Sequence, residues 1–280
     1  MKITTFFLLC FMSHLTWAST VSWEGDAQQG GYLIGKTHPA AKVMLDNKKV
    51  AVTPQGYFFL GFGRDAGASV MVTIIHPQTG EYQENLRIRQ RDYKIERING
   101  LPPSKVNPQS ETQLKRIRED IRQVKAARTQ FFPREDFLTD FEWPVTGRIS
   151  GVYGSQRVLN GTPKRPHYGV DIAAPKGTKV MSPNSGVVTL VHSDMYYTGG
   201  TLIIDHGYGV SSTFIHLSDI FVKEGQQVTK GELIAAVGST GRSTGPHLDW
   251  RINWFSVRLD PQLFVEPMPS SSVKTSTKKP

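Results

Sequence analysis

Between residues 21 and 98 the apolar positions fall in short β-branched and aromatic runs, among them Ala41–Leu45, Tyr57–Phe62, Val70–Ile75 and Asn85–Arg89. Turn signals separate them: Gly30-Gly31, Asp46-Asn47, Pro54-Gln55-Gly56 and Pro77-Gln78-Thr79-Gly80. Strands at roughly ten-residue spacing predict a small antiparallel β-sandwich. No titratable residues cluster in it, so it reads as a binding or spacer module.

The period changes after Pro102-Pro103. Ser110 followed by Gln113 is a capping-box pattern that opens a helix over about 111–130. Leu114, Ile117, Ile121 and Val124 place one narrow apolar stripe on it, and Lys115, Arg116, Arg118, Arg122, Lys125 and Arg128 cover the remainder. Such a stripe is expected to pack on a neighbouring domain, because the run is short for a dimeric coiled coil. From Trp143 to about Val265 the texture is Gly-rich and strand-rich, with runs at 179–181, 186–192, 201–205, 210–216 and 232–237. The whole chain is therefore expected to be all-β around one connecting helix.

Both ends have a different composition. Lys2, the apolar run Phe6–Met12 and Thr16-Trp17-Ala18 follow the order of a secretory signal peptide over residues 1–18. The expected product is exported and soluble, since the run falls short of the ~18 residues a bilayer-spanning helix needs. The single cysteine, Cys10, lies inside that segment. Its removal excludes cysteine nucleophiles, thiolate metal sites and disulfides. Residues 267–280 are Pro, Ser, Thr and Lys in the main and are expected to be disordered. The resulting layout is 1–18 signal peptide, 19–100 β-sandwich, 101–140 linker with the basic amphipathic helix, 141–266 C-terminal β domain and 267–280 tail.

Net charge is +9, and residues 85–130 hold 12 basic against 5 acidic side chains. In an exported protein a basic connector favours a polyanionic envelope surface, although a solvated basic helix has the same composition. No basic-aromatic groove or recognition-helix motif points to nucleic acid.

Candidate chemistry lies in the C-terminal region. His167 with Asp171, and His247 with Asp249, keep short spacings. Imidazole with carboxylate suits Zn²⁺, whose hydrolytic sites use three protein ligands and leave a fourth position for water. In the strand-like run His247–Trp254, period two sends His247, Asp249 and Arg251 one way and Leu248, Trp250 and Ile252 into the core. The strand ending at His216 can deliver that residue from alongside. His192 and His206 read as ordinary strand-end residues. No Gly-x-Ser-x-Gly elbow between a strand and a helix supports a serine hydrolase.

Several motifs in order and spacing carry a resemblance to the lysostaphin-type (LytM-domain) zinc peptidases of bacterial cell walls. They are Trp143-Pro144, Gly147 to Gly154, His167–Pro175 with Gly177, Asp205-His206-Gly207, Phe214–Ser218, Gly238 with Thr240-Gly241, and Ser243–Leu248. The resemblance covers about residues 141–266 and implies an antiparallel β-sheet peptidase domain. It implies one Zn²⁺ per chain on His167, Asp171 and Asp249, with His216 and His247 orienting the attacking water and stabilising the oxyanion. The third family ligand ends a His-x-His motif, and here that position is Asp249. Two aspartates would formally cancel the charge of the metal and weaken it as a Lewis acid. The implied activity is zinc-dependent hydrolysis of peptidoglycan peptide cross-links by a monomer, and export is expected to the periplasm, or otherwise to a secreted or cell-wall-associated location. The alternative is a degenerate member acting as activator or scaffold for a cell-wall amidase or for division proteins.

Overall fold

A computed structural model describes residues 21–269 except 102, 108 and 109. The expected signal peptide and most of the expected disordered tail lie outside the described residues.

Two sheets build the N-terminal part. One has the order β1 (Ser22–Gly25), β2 (Tyr32–Lys36) and β5 (Tyr57–Gly61), and the other runs β4 (Lys48–Val50), β3 (Lys42–Leu45), β6 (Ser69–His76) and β7 (Gly80–Arg87). Leu33, Phe58 and Leu60 of the first sheet meet Val43, Val72 and Ile74 of the second in one core. The last run, expected at Asn85–Arg89, begins earlier at Gly80, because the turn Pro77–Thr79 closes a hairpin whose register pairs His76 with Gly80.

Alternation explains why Tyr57–Gly61 is so apolar. Phe58 and Leu60 face the sandwich core, while Phe59 points the other way into the core of the C-terminal region. There Phe59 stacks with Tyr32 and meets Phe137 edge to face. The N-terminal sandwich is thus docked against its neighbour through Phe59. An ion pair between Arg91 and Asp260 at 2.9 Å spans the same junction. β8 (Ile95–Ile98) also leaves the sandwich, pairing in parallel with β10 (Gln156–Leu159), to which β11 (Thr162–Pro163) adds.

The connector contains α1 (Pro103–Val106) and α2 (Glu111–Thr129). Ser110 Oγ accepts from Gln113 N, as its sequence pattern requires. The docked face of α2 is rotated from the expected stripe. Val124 and Ala127 pack with Leu190, Met195 and Ile203, whereas Leu114 and Ile121 are exposed. Polar anchors set this rotation. Asp120 accepts from Tyr196 N at 2.7 Å, Arg116 pairs with Asp194, and Arg128 Nη2 donates to Thr213 Oγ1 at 2.9 Å.

The C-terminal sheet is ten-stranded and largely antiparallel. Its strands are β9 (Arg148–Gly151), β12 (Val170–Ala173), β13 (Lys179–Met181), β14 (Gly186–Met195), β15 (Gly199–Asp205), β16 (Val210–Ile220), β17 (Gln227–Val228), β18 (Leu233–Val237), β19 (His247–Trp254) and β20 (Val257–Leu259). Along it the main path is β17-β14-β15-β16-β19-β12-β9. One face carries the fully buried Leu202, Ile204, Phe214, Leu248, Trp250 and Ile252. The opposite face holds polar chemistry and, beside it, α2. His206 is buried and structural, with Nδ1 at 2.7 Å from Ser185 O and Nε2 at 2.9 Å from Ser212 Oγ.

Candidate metal centre

Register brings the acids together. β12 and β19 are antiparallel with Asp171 directly opposite Asp249 and Ala173 opposite His247. Directly opposed residues share a face, so both carboxylates and the His247 imidazole project from the same side. His167 enters just ahead of β12, fixed by backbone bonds from His167 N to Ser155 O and from Gly154 N to His167 O. His216 arrives from β16, which pairs with β19 through Ile215 opposite Asp249. Its φ of +65° accompanies a register shift against β15, where Gly200 pairs with Leu217 but Leu202 with Phe214, and this turns the side chain out of the strand's alternation.

His167 Nε2 lies 3.1 Å from Asp171 Oδ1 and 3.3 Å from Asp249 Oδ2. His247 Nε2 is 3.8 Å from Asp171 Oδ1, and the His216 and His247 rings are 4.8 Å apart. Two glycines make this closeness sterically feasible. A Cβ on Gly169 would stand 2.3 Å from Asp249 Oδ1, and one on Gly151 would stand 2.3 Å from Asp171 Oδ2.

Of the described residues, His167, Asp171 and Asp249 are the group whose donor atoms converge for a metal, all within 4.8 Å of one another and all buried. Asp171 Oδ1 is buried without a hydrogen bond. One imidazole nitrogen and two carboxylate oxygens, one of them lacking a donor, fit a zinc ion by their chemistry. The two other histidines are held differently. His216 Nδ1 is 2.7 Å from Thr240 O and His247 Nδ1 is 2.8 Å from Gly245 O. A carbonyl only accepts, so each Nδ1 carries the proton and each Nε2 keeps its lone pair in the neutral ring.

Electrostatics separates the roles. Burial is the largest influence on His167 and opposes its charge, but Asp171 and Asp249 together outweigh it and raise the pKa. Burial pushes His216 down to about 4, only partly opposed by Asp249. Asp249 is held well below the usual carboxylate range: burial works against its ionisation, and Arg251 followed by His167 overcomes it.

Each acid has its own arginine. Arg251 Nε donates to Asp249 Oδ1 at 2.9 Å and Nη2 to Oδ2 at 2.6 Å, while Arg157 Nη2 donates to Asp171 Oδ2 at 2.7 Å. A guanidinium thus stands against each carboxylate, and Arg157 also lies 3.6 Å from Glu96 Oε2. Arg251 is legible as a same-face neighbour of Asp249. Arg157 has no local signal, since a loop and a hairpin separate it from Asp171.

Residues 165–261 match the sequence profile of peptidase family M23. The chain is 40% identical over 118 residues to the peptidoglycan DD-endopeptidase ShyA of Vibrio cholerae, covering 41% of this chain and 26% of the relative. It is 43% identical over 111 residues to the DD-carboxypeptidase/endopeptidase Mpg of Neisseria meningitidis, covering 39% and 25%. The chain thus spans about a quarter of the length of these curated relatives. A crystal structure of a Pseudomonas aeruginosa protein assigned to peptidase M23 superposes with a TM-score of 0.68 at 28% identity, over 86% of this chain and 95% of that one.

Proposed function

The C-terminal region of the chain is a peptidase M23 domain of the LytM type, and from that premise we propose that the protein is a zinc-dependent endopeptidase that hydrolyses peptide cross-links of bacterial peptidoglycan. The observation that carries this reading is the convergence of His167, Asp171 and Asp249 beneath two imidazoles, His216 and His247, whose Nδ1 atoms are tied to carbonyls. His167, Asp171 and Asp249 would hold the zinc, which supplies Lewis acidity toward a water and a peptide carbonyl.

The side chains of this chain perform the remaining tasks. His247 Nε2 lies 3.8 Å from Asp171 Oδ1, and the His216 ring lies 4.8 Å from that of His247. One imidazole can accept the proton of the attacking water and the other can donate to the developing oxyanion, or to the leaving amine. Arg157 and Arg251 keep the carboxylates in place and ionised. The relatives named as DD-endopeptidases support the D,D linkage between stem peptides as the bond cut. Export to the periplasm belongs to the same proposal and rests on the composition of residues 1–18. So does the layout with boundaries near 100, 140 and 266.

Cross-linked sacculi incubated with the full chain, followed by muropeptide separation, test the reading. Dimers should convert to monomers without release of glycan from stem peptide, and chelation should stop the conversion. His247→Ala should abolish turnover and retain zinc, while Asp249→Ala should lose zinc. Dimers that persist with zinc bound, together with stimulation of a cell-wall amidase, would favour an activator in place of an enzyme.

A further inference from the structure

Beyond the metal group the same face of the sheet is basic. Arg251 lies opposite Thr213 of β16, and the next row aligns Ser211 of β16, Asn253 of β19 and Arg258 of β20. α2 lays Arg128 onto this patch through its bond to Thr213 Oγ1. Arg251 is committed to Asp249, but Arg128 and Arg258 have no carboxylate partner among the described residues. Arg258 instead rests over the ring of Tyr168, 4.5 Å from its centroid.

This arrangement is unfavourable as it stands. Burial, then repulsion from Arg258 and Arg251, pushes the Arg128 pKa down to about 9. Burial and Arg251 push Arg258 to about 10. Arg128 Nε, Ser211 Oγ and Asn253 Nδ2 are all buried without a partner. Each of the three can donate, and what they lack is an acceptor. Buried cations and orphaned donors of this kind cost stability unless a complementary group meets them.

We propose that Arg128 and Arg258, with the donors of Ser211 and Asn253, form an anion site that takes a carboxylate of the substrate beside the metal group. Thr213 stands two strand residues from Ile215, the partner of Asp249, or about 7 Å along the sheet. An extended peptide with its scissile bond at the metal group would therefore present a carboxylate one or two residues away. This deepens the proposed function, because peptidoglycan stem peptides carry free carboxylates on their glutamate and diaminopimelate residues. A guanidinium pair suits such a group better than a lysine would, since its planar fork matches a carboxylate.

Calorimetric titration of the full chain with the tetrapeptide L-Ala-γ-D-Glu-diaminopimelate-D-Ala, and with its side-carboxamide form, tests the inference. The acid form should bind at least tenfold tighter to the unmodified protein. Arg128→Met and Arg258→Met should each erase that preference. Arg128→Met should also raise the melting temperature of the ligand-free protein, which a purely structural arginine would not do; should that variant fail to fold, Arg258→Met carries the test alone. Equal binding of acid and amide, a preference that survives both substitutions, or a lower melting temperature with unchanged binding would overturn the site. Cleavage of sacculi is read separately. Cleavage without carboxylate preference removes this inference and leaves the proposed function, and carboxylate preference without cleavage does the reverse.

Discussion

Arg251→Met isolates the charge balance of the metal group. It removes both donors from Asp249, whose side chain is 1% exposed, while the Arg251 side chain is 19% exposed. Breaking a buried pair by deleting one partner costs about 3–5 kcal/mol. The partial exposure of Arg251 places this pair near about 3 kcal/mol. At about 2–4 °C per kcal/mol for a chain of this size, the metal-free variant should melt roughly 6–12 °C lower. Zinc should then return part of the loss, because the released carboxylate gains a cation where the guanidinium had been. A return of about 1.4 kcal/mol corresponds to zinc bound about tenfold tighter than by the unmodified protein. Thermal unfolding with and without zinc, combined with competition against a chromophoric chelator, measures both quantities. A variant that binds zinc more weakly, or that is destabilised equally in the two states, would refute the counter-ion role and make Arg251 a simple structural brace.

Other expectations follow from the packing. Burial pushes His206 down to about 4, so its contribution is present above its unfolded value of 6.5 and is lost as pH falls from 6.5 through 4, by about 3 kcal/mol in all. Asp205, pushed up to about 7 by burial, gains over the same interval, so denaturant unfolding should show the effect in the difference between the unmodified protein and His206→Gln. Ala127→Asp should detach α2 and expose the Leu190–Ile203 surface to a hydrophobic dye, whereas Ile121→Ser should change stability by less than about 0.5 kcal/mol. Charge reversal at Arg118 and Arg122 should weaken sedimentation with sacculi, and added salt should reproduce the loss, since exposed charges act over ~8 Å at physiological ionic strength.

Much of this protein follows from its sequence alone. Period-two alternation from His247 to Trp254 assigns one face to His247, Asp249 and Arg251 and the other to the core, because a strand has only two faces. The capping pattern at Ser110 and Gln113 fixes where α2 begins. The short spacings His167–Asp171 and His247–Asp249 bring four candidate residues forward, and the resemblance to the LytM-domain peptidases implies which three would be ligands. Local pattern could not decide what depends on partners distant in the chain. Phe59 belongs to a different core from Phe58 and Leu60, which only the docking of β5 against β20 and Trp254 determines. The docked face of α2 is set by Asp120, Arg116 and Arg128 meeting Tyr196, Asp194 and Thr213, contacts that hydrophobic periodicity does not encode. Asp171 has Arg157 and Asp249 has Arg251 as counter-ion, and the charge of the metal group depends on both. The sequence could count those arginines, but only the register of β12 against β19 and the hairpin at β10 bring one to each acid.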